Sequence, residues 1–184
     1  MGYKLGVLRG DDWVEHSHPA VYERVDMGGG HGDRLHVAVP GGNTDIFRCL
    51  LSCVEPPYML LYVLHTPRGE GEPGRYQSPP LDIAATASFL DRFSDYLRSD
   101  GRFHLWARSP VSNATLVWDN HNILYAYGPL DAYERQLIEL GFAIGSTPIP
   151  APHTHIYRPE FDADASACLM QWDWQRTPLQ PSDR

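Results

Sequence analysis

Residues 101–128, GRFHLWARSPVSNATLVWDNHNILYAYG, constrain the fold more than any other stretch of the chain. They read as three adjacent antiparallel strands, the last two forming a hairpin. With Asn120 and His121 as a two-residue loop, Asp119 faces Asn122, Trp118 faces Ile123, Val117 faces Leu124 and Leu116 faces Tyr125. One face then carries Leu116, Trp118, Ile123, Tyr125 and Tyr127, and the other Thr115, Val117, Leu124 and Ala126. Apolar residues on both faces predict a sheet that is covered on both sides.

The flanking segments build outward from this meander. Residues 3–9, 21–26 and 35–39 have strand character, and the glycines of residues 27–33 provide a flexible turn between the second and third. A helix capped by Asn43 or Thr44 runs to about Val54, and the apolar run YMLLYVL (58–64) reads as a central buried strand. Residues 65–80 form a long loop. Asp82 caps a helix over 83–98, and Pro129 opens another over 130–140. The order β-β-β-α-β-α-β-β-β-α-β predicts an α+β domain over residues 1–174: a mainly antiparallel twisted sheet with about three helices packed on it and one β-α-β step. A Pro-rich irregular segment follows, and residues 175–184 read as a disordered tail.

Charge narrows the partners. A formal net charge of −8 opposes binding to nucleic acid or to an anionic membrane surface, because both require a positive footprint. It suits a basic protein partner. The chain shows no basic-then-apolar leader and no run of eighteen apolar residues, so the expected location is the cytoplasm. The odd count of three Cys agrees with a reducing compartment. A homodimer through an unpaired strand edge, at residues 103–109 or 154–157, is a further expectation.

Two constellations carry chemistry. His16-Ser17-His18 and His153-Thr154-His155 are both His-x-His motifs. On a strand, residues i and i+2 point to one face, so each motif can offer two imidazoles to a divalent transition metal such as zinc, with Asp162 and Asp164 as nearby carboxylates. The bland alternative is four polar residues in Pro-flanked surface segments. The second constellation is the long loop, where His65, Arg68, Arg75 and Tyr76 follow the central strand and can hold a carboxylate or phosphate. His104, Trp106 and Arg108 share a strand face and can join them. The alternative here is a loop whose Arg68, Glu70, Glu72 and Arg75 neutralise one another. Asp119 and His121 form an acid–base pair on paper, but Asx-turn chemistry accounts for them without catalysis.

No nucleophile elbow, P-loop or dinucleotide fingerprint is present. Two functional readings follow. The first, reached by elimination and without a cofactor, is a small acidic binding protein that engages a protein partner, an immunity or antitoxin protein being a concrete version. The second is a metal-dependent hydrolase built on His16, His18, His153 and His155.

Overall fold

The computed structural model describes residues 2–29 and 32–183. Gly30 and His31, in the expected glycine turn, lie outside the described residues. Two sheets organise the chain. The smaller one contains β1 (Leu5–Arg9), β2 (Asp12–His16) and β11 (His153–His155), with β1 in the middle and both pairings antiparallel. The larger one has nine strands: β3 (Val21–Asp26), β4 (Asp33–Ala38), β5 (Met59–Leu64), β6 (Gly74–Gln77), β7 (Phe103–Ser109), β8 (Ala114–Trp118), β9 (Ile123–Tyr127), β10 (Ala143–Ile144) and β12 (Gln175–Thr177). Their spatial order is β10-β3-β4-β9-β8-β7-β5-β6-β12, and every pairing except that of β10 with β3 is antiparallel.

Among the described residues five α-helices complete the fold: α1 (Thr44–Leu51), α2 (Ile83–Arg92), α3 (Ser94–Ser99), α4 (Leu130–Glu139) and α5 (Asp162–Leu169). The expected helix over 83–98 divides at Phe93, whose φ and ψ of −105° and 14° leave the helical region. The connections β4–α1–β5, β6–α2–α3–β7 and β9–α4–β10 each join strands that run in the same direction, so there are three β-α-β steps where the sequence suggests one. α5 escaped the sequence reading because its Asp-Ala-Asp-Ala-Ser-Ala core has almost no amphipathic contrast. Beyond Trp174, where a disordered tail was expected, β12 instead pairs with β6 at the sheet edge.

Helices cover one face of the large sheet. Leu60, Tyr62, Leu105, Leu116, Trp118, Leu124 and Val37 stand in register on that face and are buried against Phe47, Leu50, Phe89, Tyr96 and Tyr133 of the helices. Each such side chain contributes about 1.5–3 kcal/mol by leaving water. On the opposite face Ala38, Val63 and Ile123 are buried, whereas His104, Trp106, Arg108, Thr115, Val117, Tyr125 and Tyr127 are half-buried to exposed, so the expected cover on both sides is realised only in part.

The β8–β9 hairpin is slipped by one residue from the register expected. Val117 faces Tyr125 and Trp118 faces Leu124, and Asp119 N–H donates to the Ile123 carbonyl at 2.9 Å. The loop therefore has three residues, with Asn122 in the left-handed region at φ 60°. The slip puts Leu116, Trp118, Leu124 and Ala126 together on the helix-covered face and turns Tyr125 and Tyr127 to the open one. β7 lies between β8 and β5, so residues 103–109 are not an edge and cannot seed a dimer by strand pairing.

Candidate metal centre

The Asp119 carboxylate sets the conformation of the β8–β9 loop. Its Oδ1 accepts from the backbone N–H of His121 (2.9 Å) and of Ile123 (2.8 Å). Its Oδ2 accepts from His121 Nδ1 (2.9 Å) and from the Tyr125 hydroxyl (3.4 Å). Burial alone would raise this carboxyl, but the bonds from His121 and Ile123 outweigh it and hold the group below its ordinary value. On the other side of the loop, Trp118 Nε1 donates to Asn122 Oδ1 at 3.1 Å, and Val39 N–H donates to the Asn122 carbonyl at 2.9 Å. His18 Nε2 donates to the His121 carbonyl at 2.8 Å. The backbone of His121 is thus held through both its N–H and its carbonyl, and its ring is held by Asp119 through Nδ1, so Nε2 is not committed.

The small sheet supplies two more imidazoles. Leu5 pairs with His155 and Val7 with His153, so both histidines project from one face of the edge strand β11. β1 is anchored against the meander by Lys4, whose ammonium lies 4.2 Å from the Trp118 ring centre and 4.7 Å from that of Phe103. The His121 ring approaches His155 at 4.7 Å and His153 at 5.1 Å between centroids. His153 Nδ1 donates to the Pro150 carbonyl at 2.9 Å, which leaves its Nε2 lone pair free. His155 Nδ1 is buried without a hydrogen-bond partner.

One ring nitrogen from each of His121, His153 and His155 falls within 4.8 Å of the others. Ligand atoms of a tetrahedral zinc stand roughly 3.4 Å apart, so small side-chain rotations close the set around an ion. Burial, and then the neighbouring His121 and His153, lower the His155 imidazolium to about 4, so this ring is neutral and its lone pair is available at ordinary pH. All three side chains are half-buried, which leaves further coordination positions open to small molecules.

His153 and His155 are thus brought together, but with His121 and not with the first His-x-His motif. His16 pairs with Leu5 on the opposite side from His155, so two strand spacings, about 10 Å, separate their backbones. Its ring packs edge-on against His18 at 4.7 Å, and His18 spends its Nε2 on the His121 carbonyl. Asp162 binds Arg102 and Arg68 at 3.0 and 3.1 Å, and Asp164 lies on α5; neither belongs to the three-histidine group.

The loop constellation does not converge. Arg68 pairs with Asp162, and Tyr76 turns to the helix-covered face, where its hydroxyl donates to the Glu72 carbonyl at 2.6 Å. Arg75 lies on the open face over the Trp106 ring, at 5.4 Å. His65 stacks on His104 at 4.2 Å, and its Nε2 is buried without a partner. Self-neutralisation of the loop fails as well. Glu70 goes to the buried Arg102, which also binds Asp100, and Glu72 goes to Arg176.

The residue that sequence reading passed over is His121, taken for a turn residue. The signal was local: a carboxylate two positions before a histidine in a tight loop can fix its tautomer, the arrangement found in carboxylate–histidine–metal units. No helix among the described residues is long and apolar enough to cross a membrane. Comparison with protein-family models, with curated proteins and with solved structures found no match to the chain.

Proposed function

We propose that the protein binds a divalent transition metal, zinc being the type, at His121, His153 and His155, and that it acts as a metal-dependent hydrolase. The convergence of three ring nitrogens within 4.8 Å of one another carries this reading. Three imidazoles with open positions resemble catalytic sites, which retain a place for water, whereas structural sites close with a fourth protein ligand. Asp119 is the outer partner that orients His121. The unbonded Nδ1 of His155 supports the assignment, because a buried nitrogen without a partner costs about 1–3 kcal/mol that coordination removes. The bound metal would lower the pKa of a coordinated water and supply a hydroxide near neutral pH.

The alternative, engagement of a basic protein partner, rests on the formal net charge of −8 alone.

Elemental analysis of untagged protein tests the proposal. One equivalent of zinc, manganese, nickel or iron per chain is expected. Added ion should also raise the melting temperature of chelator-treated protein, because it binds the folded state alone. Absence of stoichiometric metal together with an unchanged melting temperature overturns it.

A further inference from the structure

The open face of the large sheet carries a second candidate, at a distance from the three histidines. Leu61 and Met59 of β5, Arg75 and Gln77 of β6, Trp106 and Arg108 of β7, and Thr115 of β8 surround a depression of about 200 Å³. Register explains why they meet. Leu61 pairs with both Gln77 and Trp106, and Arg108 pairs with both Met59 and Thr115, so all point to the same side of the sheet.

Four features of this depression are unusual for a surface hollow on an acidic protein. No carboxylate lines it among the described residues, although two guanidinium groups do. Arg108 is exposed and makes no ion pair or side-chain hydrogen bond among the described residues. Arg75 lies over the indole of Trp106 and meets a carboxylate only at 3.7 Å, from Asp183. Trp106 in turn has its Nε1–H buried with no acceptor. A buried donor without an acceptor is unfavourable, and an oxygen anion would satisfy it while pairing with both arginines. Leu61, Met59 and the indole offer a flat apolar wall beside those donors.

We propose that this depression binds a small molecule with a flat apolar body and an anionic oxygen group, a carboxylate or a phosphate ester. Arg108 and Arg75 take the anion, the Trp106 indole N–H donates to one of its oxygens, and the flat body lies against Leu61 and the indole. Trp106 and His104 stand two positions apart on β7 and so share the open face of the sheet. The depression needs no metal, and its test is independent of one.

Titration of full-length, chelator-treated protein with benzoate, phenyl phosphate and inorganic phosphate, followed by the indole N–H resonances in ¹H–¹⁵N spectra, tests this assignment. Loss of one peak in Trp106→Phe identifies the reporter. A saturable shift of that peak with benzoate, phenyl phosphate or both is expected. Binding of both places the ligand among anionic aromatics in general, and binding of phenyl phosphate alone places it among phosphate esters. Arg108→Ala, at an exposed position that leaves the fold intact, should weaken binding roughly tenfold or more. Absence of a saturable Trp106 shift with both aromatic probes, equal affinity in Arg108→Ala, or inorganic phosphate binding as well as phenyl phosphate would overturn the proposal.

Discussion

His16-Ser17-His18 and His153-Thr154-His155 look equivalent, each a His-x-His beside a proline with its two rings in contact, yet only the second is met by a third imidazole, that of His121. The difference lies in the backbone. His153 and His155 both lie within β11, where alternation puts i and i+2 on one face. His16 is the last residue of β2, and His18 lies beyond the strand, so alternation no longer relates them. His18 turns inward to the His121 carbonyl and supports the loop that carries the third imidazole. His18 thus spends a ring nitrogen on the loop backbone, whereas the β11 pair faces the His121 ring.

The largest contrast between the two motifs should appear in metal content. His155→Ala is expected to abolish stoichiometric metal, whereas His16→Ala should leave both stoichiometry and affinity unchanged. Elemental analysis with competitive chelation reads both, and equal losses in the two variants would remove the distinction drawn between the motifs.

Asp119→Asn comes next. It keeps the shape of the loop while weakening the bond that holds the His121 tautomer, and should lower metal affinity about 10–100-fold. The melting temperature of the metal-free protein serves as a control, since Asp119 also caps the loop.

A smaller effect tests the element between the motifs. Lys4, on the segment that leads into β1, is fully buried, and burial lowers its ammonium from 10.5 to about 7, against the opposing pull of Asp119 and Asp100. The unfolded chain holds this proton up to its higher pKa while the folded chain releases it earlier. Lys4 therefore penalises folding most below pH 7, and the penalty fades as pH rises from 7 towards 10.5. Lys4→Met should stabilise the protein by about 1–4 kcal/mol at neutral pH and below, with the gain shrinking at alkaline pH. Denaturant melts across pH measure it; a gain that does not vary with pH would show that Lys4 does not titrate as described.

Much of the scaffold was legible in the chain. The strands of residues 101–128, the buried run 59–64 and the Asn43 and Asp82 caps were all readable from local pattern, because each depends on periodicity or capping within a few residues. The hairpin register was not. Both alignments of Trp118 and Leu116 against the second strand place apolar residues opposite one another, so pattern alone could not choose. The third loop residue was decided by Asn122 at positive φ, held by Trp118 and Val39, and Val39 is remote in sequence. Two of the three candidate ligands were readable for a related reason: His153 and His155 are neighbours in sequence, whereas His121 joins them only through contacts that span the chain.

By itself, then, the sequence determined the α+β class, the antiparallel meander, the positions of the caps and the presence of paired imidazoles in residues 153–155, all products of short-range geometry. The tertiary structure alone decided that β11 pairs with β1, that Lys4 seats β1 against Trp118, and that the Asp119 loop therefore holds His121 beside His153 and His155. Those outcomes depend on which distant strands find one another, and the free energy of that choice is spread over the whole buried face of the sheet and not written in any one segment.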